Sequence, residues 1–168
     1  MKYRVLCGCL VFAVAVMFTP AQSKLSISGK CNKPDVQQSV PAGDQAGHVL
    51  TLAQGKCVTK GEIGGATSKE GAFAEHGEAT GNNGKVWGTY VETFSSSDKV
   101  FYSYETTATL KAGALQSGSN KWTMTGGTGK MKGIKGSGTC KLTGTASGGL
   151  DYTCTGDYTL AAAAPAKK

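Results

Sequence analysis

Apolar and polar residues alternate over long stretches of this chain, and short runs of glycine, asparagine and serine interrupt the alternation. Residues 24–31 (Lys-Leu-Ser-Ile-Ser-Gly-Lys-Cys) alternate in this way and predict a first strand. Residues 32–47 hold two Pro, two Gly and two Asp and read as a loop. His48–Cys57 predicts a second strand, and Gly61–Gly65 a turn. The stretch Thr67–Thr80 is rich in alanine, but its internal glycines and missing caps speak for a strand over a helix. Asn82-Asn83-Gly84 is a turn signal, because Asn and Gly tolerate positive φ. Lys85–Phe94 is the clearest strand. It sets Trp87, Thr89, Val91 and Thr93 on one face and Val86, Tyr90 and Phe94 on the other. After a turn at Ser95–Asp98, Lys99–Leu110 carries Val100, Tyr102, Tyr104, Thr106 and Ala108 on one side. Gly113–Asn120 reads as another turn, and Lys121–Thr125 as a short strand built on Trp122 and Met124. Gly126–Gly136 is a glycine-rich loop, and Ser137–Thr143 with Leu150–Leu160 predicts a closing hairpin.

About eight strands at roughly ten-residue spacing, with no long helix, predict an all-β antiparallel barrel or sandwich. Closing an eight-stranded sheet removes its edges and leaves an interior for side chains or one small ligand. The closed barrel is therefore the expected architecture, as one domain over residues 24–160 with residues 161–168 as a disordered tail.

The N-terminus changes the picture of where the protein acts. Two basic residues precede an apolar run, Leu6–Phe18, with small residues at Ala21 and Ser23 beyond it. This pattern is that of a secretory signal over residues 1–23, cleaved after Ala21 or Ser23, and the run is too short to span a bilayer. Its removal takes Cys7, Cys9 and the only Arg, leaving 16 Lys, 11 acids and a net charge of +5. An exported, periplasmic or extracellular protein without a stable membrane anchor follows. The remaining Cys31, Cys57, Cys140 and Cys154 form an even set, which in an oxidising compartment favours two disulfides. Cys140 and Cys154 flank Gly144–Gly149 symmetrically, as a bridge between hairpin arms would, and Cys31–Cys57 then remains as the second pair. Buried free thiols are the alternative. A chain without Arg lacks the preferred residue for phosphate and guanine, so no nucleic-acid partner is expected. Lys130, Lys132, Lys135 and Lys141 read as a solvated basic loop.

The segment from Trp122 to Cys140 (Trp-Thr-Met-Thr-Gly-Gly-Thr-Gly-Lys-Met-Lys-Gly-Ile-Lys-Gly-Ser-Gly-Thr-Cys) resembles a signature of exported bacterial proteins related to the allene oxide cyclase and dirigent barrels. Ser97-Asp98-Lys99 before Val100-Phe101-Tyr102, the Asp44…Gly47-His48 stretch and Gly55-Lys56-Cys57 resemble the same group. The resemblance spans roughly residues 44–160. It implies a barrel closed at one end by a helical turn carrying Met131 and Ile134, an apolar interior that steers a reactive intermediate, and association into a homo-oligomer. Gly129-Lys130-Met131 lacks the hydroxyl residue and long helix of a phosphate-binding loop.

Candidate chemistry is sparse. Glu75-His76-Gly77-Glu78 is the one place where His and carboxylates crowd together, and His76 with Glu78 share a strand face suited to acid–base work. Glu75 points the other way, and His48 reads as structural. No spacing suits a metal, and no cofactor is expected. The aromatic set Trp87, Tyr90, Tyr102, Tyr104 and Trp122 is the candidate lining for a small hydrophobic ligand. Two functions remain open: binding of a small apolar molecule or a partner protein, and a cyclase- or dirigent-like enzyme. A Tyr-lined pocket with a buried carboxylate would favour the second.

Overall fold

The computed structural model describes residues 22–161. Ten strands follow in chain order. They are β1 (Gln22–Cys31), β2 (Val36–Pro41), β3 (His48–Lys60), β4 (Glu62–Ile63), β5 (Ala66–Thr80), β6 (Asn83–Phe94), β7 (Lys99–Lys111), β8 (Ala114–Gly127), β9 (Lys135–Gly144) and β10 (Leu150–Thr159). A single 3₁₀ turn, Gly129–Met131, separates β8 from β9. All ladders are antiparallel. β1, β10, β9, β8, β7, β6, β5 and β3 pair in that order, and β3 pairs back to β1, which closes an eight-stranded barrel. β2 and the short β4 lie outside this ring. No helix among the described residues is long and apolar enough to cross a membrane.

The seam of the barrel is uneven. β1 and β10 pair over their whole lengths, whereas β1 and β3 share only Ser28↔Lys60 through Cys31↔Cys57. The rest of that β3 edge is taken by β2, from Val36↔Gln54 to Pro41↔Val49. Both expected disulfides are present, Cys31–Cys57 and Cys140–Cys154. Each joins residues directly opposite each other on neighbouring strands. The first of them staples the short seam.

One end of the barrel is packed shut. The 3₁₀ turn and the residues after it fold Met131 and Ile134 inward, where they are 2% and 1% exposed among Leu25, Ile63, Phe94, Val100 and Tyr158. The expected shared helical face is not what brings them together: the 3₁₀ turn ends at Met131, and a tight turn through Lys132 and the positive-φ Gly133, closed by the Ile134 amide donating to the Met131 carbonyl at 3.0 Å, carries Ile134 back beside it. Thr128 ties this turn to β7: its hydroxyl accepts from the Lys99 amide at 2.8 Å, and its amide donates to the Lys99 carbonyl at 2.8 Å.

Two further sequence expectations are corrected. The loop predicted over 32–47 contains β2, which survives as a strand because β3 offers it an edge. Its Pro41 sits at the end of an outer strand, where a missing N–H is tolerated. The turn predicted over 113–120 is confined to Ala112–Gly113, both with positive φ, and β8 begins at Ala114. Ser and Gly within 116–120 are poor strand formers alone, but β7 and β9 pair with them from both sides. The expected signal segment lies outside the described residues except for Gln22 and Ser23, which open β1. The expected tail lies outside them except for Ala161.

Candidate functional site

Strand alternation sends every second residue inward, and in the barrel above the plug these residues enclose a cavity of about 140 Å³. Six aromatic rings form much of its wall: Phe73, Tyr90, Tyr102, Tyr104, Trp122 and Tyr152. Tyr90 and Tyr102 are tilted at 5.8 Å between centroids, and Tyr102 meets Trp122 edge-on at 5.9 Å. Both disulfides also border the space. The large rings fit because neighbouring strands present glycines to them. Gly29 faces Tyr152, Gly71 faces Tyr90, Gly88 faces Tyr104, and Gly138 with Gly156 faces Trp122.

Two carboxyl groups share this wall. Glu92 is 2% exposed, and the Thr59 hydroxyl donates to its Oε2 at 3.0 Å while the Ser68 hydroxyl donates to Oε1. A hydroxyl has one proton, so Thr59 then accepts from Tyr152 at 2.7 Å and from Tyr90 at 3.1 Å. The result is a continuous chain of hydroxyls from two cavity-lining tyrosines to a buried carboxyl. Glu75 receives a 2.5 Å hydrogen bond from the Tyr104 hydroxyl on its Oε2. In the β5–β6 ladder Glu92 stands opposite Gly71 and Glu75 opposite Gly88. Four positions of strand, roughly 13 Å, therefore separate the two backbones, and the carboxyls are not a proton-sharing dyad.

Burial governs the ionisation of these groups. It raises the Glu92 carboxyl above its ordinary 4.5, against the pull of the Ser68, Tyr90 and Thr59 hydroxyls. Burial likewise raises Glu75, with the Tyr104 hydrogen bond opposing it. The hydroxyls of Tyr90, Tyr102, Tyr104 and Tyr152 are all pushed upward by burial, which keeps them neutral. Three polar atoms of cavity-lining residues are themselves fully buried and have no hydrogen-bond partner among the described residues: the Tyr102 hydroxyl, Trp122 Nε1 and Asn120 Oδ1. Asn120 does donate through Nδ2 to Thr106 at 2.9 Å.

A raised carboxyl pKa means the folded protein holds its proton to higher pH than the unfolded chain. Glu92 therefore subtracts stability as pH rises past the ordinary carboxyl value, and the loss is complete once pH passes the folded value. Glu92→Gln removes this term while keeping the shape. The variant is expected to match the parent near pH 4 and to exceed its stability by about 0.5–2 kcal/mol at pH 8, the size of a common single stabilising substitution. Urea titrations at both pH values measure this, and a difference that does not grow with pH contradicts it.

The structure separates the residues that the sequence singles out. Tyr90, Tyr102, Tyr104 and Trp122 line the cavity. Trp87 lies on the opposite face of β6 and stacks on His76 at 5.8 Å. His76 is exposed on that outer face, and no hydrogen bond joins it to Glu78 among the described residues. Glu78 Oε2 is instead 3.8 Å from His48 Nε2, while His48 Nδ1 lies 2.7 Å from Asp44 Oδ1. That contact holds the Asp44 carboxyl below its ordinary range. Glu92, Thr59 and Tyr152 have no place in the sequence reading. For Glu92 the signal was present: it falls between Tyr90 and Phe94 on the apolar face of β6. No group of three potential metal ligands occurs among the described residues.

Neither a protein-family model nor a curated protein matches the sequence. Among solved structures, the chain is similar to that of the pterocarpan synthase dirigent protein. The identity is 10%, the match covers 89% of this chain and 97% of that chain, and the TM-score is 0.47.

Proposed function

We propose that the barrel interior binds a small, largely apolar molecule of about one ring in size. The observation that carries this reading is the hollow itself: about 140 Å³ walled by six aromatic rings, with two carboxyl-bearing residues in the same wall. A dry cavity of about 150 Å³ accommodates a benzene-sized molecule. The two disulfides fit a protein exported to an oxidising compartment, as the N-terminal sequence predicts. Gln22 and Ser23 pair with Thr159 and Tyr158, so cleavage after Ala21 would leave β1 whole.

Glu92 favours a second, catalytic reading of the same site. A core has no structural need for a carboxyl that is 2% exposed, and burying one carries a desolvation penalty. Through Thr59, this carboxyl is linked by hydrogen bonds to the Tyr90 and Tyr152 hydroxyls at the cavity wall. Such a chain can deliver or withdraw a proton from a bound, unstable intermediate, as a cyclase- or dirigent-like enzyme would need.

Native mass spectrometry of the protein purified without denaturation tests the binding reading. The expected result is a co-purifying small molecule. In a Trp87→Phe background, Trp122 is the sole tryptophan, and its fluorescence is expected to change when that molecule is removed and restored. No bound species, together with no fluorescence response to a set of single-ring compounds, would remove this reading.

A further inference from the structure

We infer that the molecule held in the barrel is a small organic cation, an amine or quaternary ammonium with an apolar body, seated against Glu75. This rests on the reading of the interior as a binding site and names the charge of its occupant.

Three observations converge. The cavity wall carries two carboxyls, Glu75 and Glu92, and among the described residues no Lys, Arg or His. None of the 14 Lys among the described residues lines the cavity, so the basic groups lie elsewhere while the cavity wall holds only acids. Among the described residues, neutral hydroxyls are the only groups that hydrogen-bond to either carboxyl, and neither acid forms a salt bridge there.

The second observation is the aromatic wall beside the acids. Tyr102, Tyr104 and Trp122 lie on adjacent strands, with Tyr104 directly opposite Trp122 in the β7–β8 ladder. The faces of such rings attract a cation placed within about 6 Å of their centres, and the attraction is strongest where water is excluded. Aromatic rings around an acid form a receptor for an ammonium group. They form a poor one for a carboxylate or phosphate, which would meet two acids and no base.

The third observation selects between the acids. Both oxygens of Glu92 are occupied, one by Thr59 and the other by Ser68. Glu75 is engaged only through Oε2, by Tyr104, and its Oε1 accepts no hydrogen bond from the described residues. Oε1 is therefore free to take an N–H of the ligand, or to face a quaternary nitrogen. Glu92 contributes from deeper in the barrel through its field. Because a bound cation favours the ionised carboxylate, its affinity rises with pH through the carboxyl range. The titratable group in contact with Glu75 is Tyr104, which stays neutral, and the other acid of the wall, Glu92, stands four strand positions away and favours a cation in the same direction.

Three probes with one ring and different charge test the inference on the disulfide-bonded protein: benzylamine, benzyl alcohol and benzoate, followed by calorimetry and Trp122 fluorescence. Benzylamine is expected to bind at least tenfold more tightly than benzyl alcohol at pH 7.5, and more tightly there than at pH 5, with benzoate weakest. Glu75→Gln is expected to reduce benzylamine affinity about tenfold and Glu92→Gln by less. Benzyl alcohol, which carries no charge, should lose clearly less affinity than benzylamine in both variants, and circular dichroism that matches the parent serves as the control for an intact barrel. Benzyl alcohol or benzoate binding as tightly as benzylamine overturns the cation assignment and leaves the interior site standing. Benzylamine binding that survives Glu75→Gln undiminished overturns the seat. Failure of all three probes to bind overturns the inference, while native mass spectrometry still decides separately whether the barrel carries a ligand.

Discussion

Replacing Cys31 and Cys57 together by alanine is expected to lower stability by about 3–4 kcal/mol and the Tm by roughly 10 °C. The two residues are 26 apart in sequence, against 14 for Cys140 and Cys154. Constraint of the unfolded chain grows only with the logarithm of that separation, so chain entropy predicts a gap of about 0.5 kcal/mol between the two bridges. Their positions in the barrel differ more. Cys140–Cys154 lies within a ladder that runs without interruption from Leu150↔Gly144 to Thr159↔Lys135. Cys31–Cys57 closes the four-pair seam between β1 and β3, where the barrel has least backbone pairing to hold it. Loss of the first bridge should therefore bring fast amide exchange to Ser28–Cys31 and Cys57–Lys60, whereas loss of the second should not. Equal exchange behaviour in the two double variants would show that the seam does not depend on its bridge.

Gly138→Ala is expected to cost about 2–3 kcal/mol although it adds one methyl group. A Cβ at position 138 would stand 2.1 Å from the Thr155 carbonyl oxygen and 2.4 Å from the Trp122 indole. The first is backbone held in the β9–β10 ladder, and the second is 7% exposed within the core. Neither can withdraw without disturbing the cavity, so Trp122 fluorescence should shift along with the loss of stability seen in urea titration. Gly113→Ala is the useful contrast, because nothing lies within 4 Å of its Cβ and any cost there comes from its positive φ of 78°. A Gly138→Ala protein as stable as the parent, with unchanged fluorescence, would mean that the indole does not rest on this strand.

These two sites show where reading the chain succeeds and where it stops. The pairing of Cys140 with Cys154 follows from their symmetric placement about a glycine-rich turn, because a hairpin brings such positions face to face. Met131 and Ile134 were legible as the apolar pair of a glycine-rich segment, but a β-turn at Lys132 and Gly133, not a shared helical face, brings them together. Tyr102 and Tyr104 share one face of β7 and both reach the interior. Trp87 shows the limit of grouping residues by type. Its odd spacing from Tyr90 already assigns it to the opposite face of β6, and the structure places it on the outside against His76. Glu92 was legible by the same parity, as the one acid on an apolar face.

The sequence by itself determined the strand periodicity, the all-β class, the cysteine pairing and the residues that can plug one end. Each depends on neighbours a few residues apart, or on a symmetry visible along the chain. Only the tertiary structure decided which glycines make turns and which make room. Gly138 and Gly156 read as flexible punctuation, yet they are the floor on which Trp122 lies. Only the closed barrel brings Thr59, Glu92 and Tyr152 from three separate strands into one hydrogen-bonded chain. The short β1–β3 seam likewise has no local signature. The physical reason is common to all three. Alternation specifies the face of a strand, but which faces meet depends on register and closure, and those arise from pairing between residues far apart in the chain.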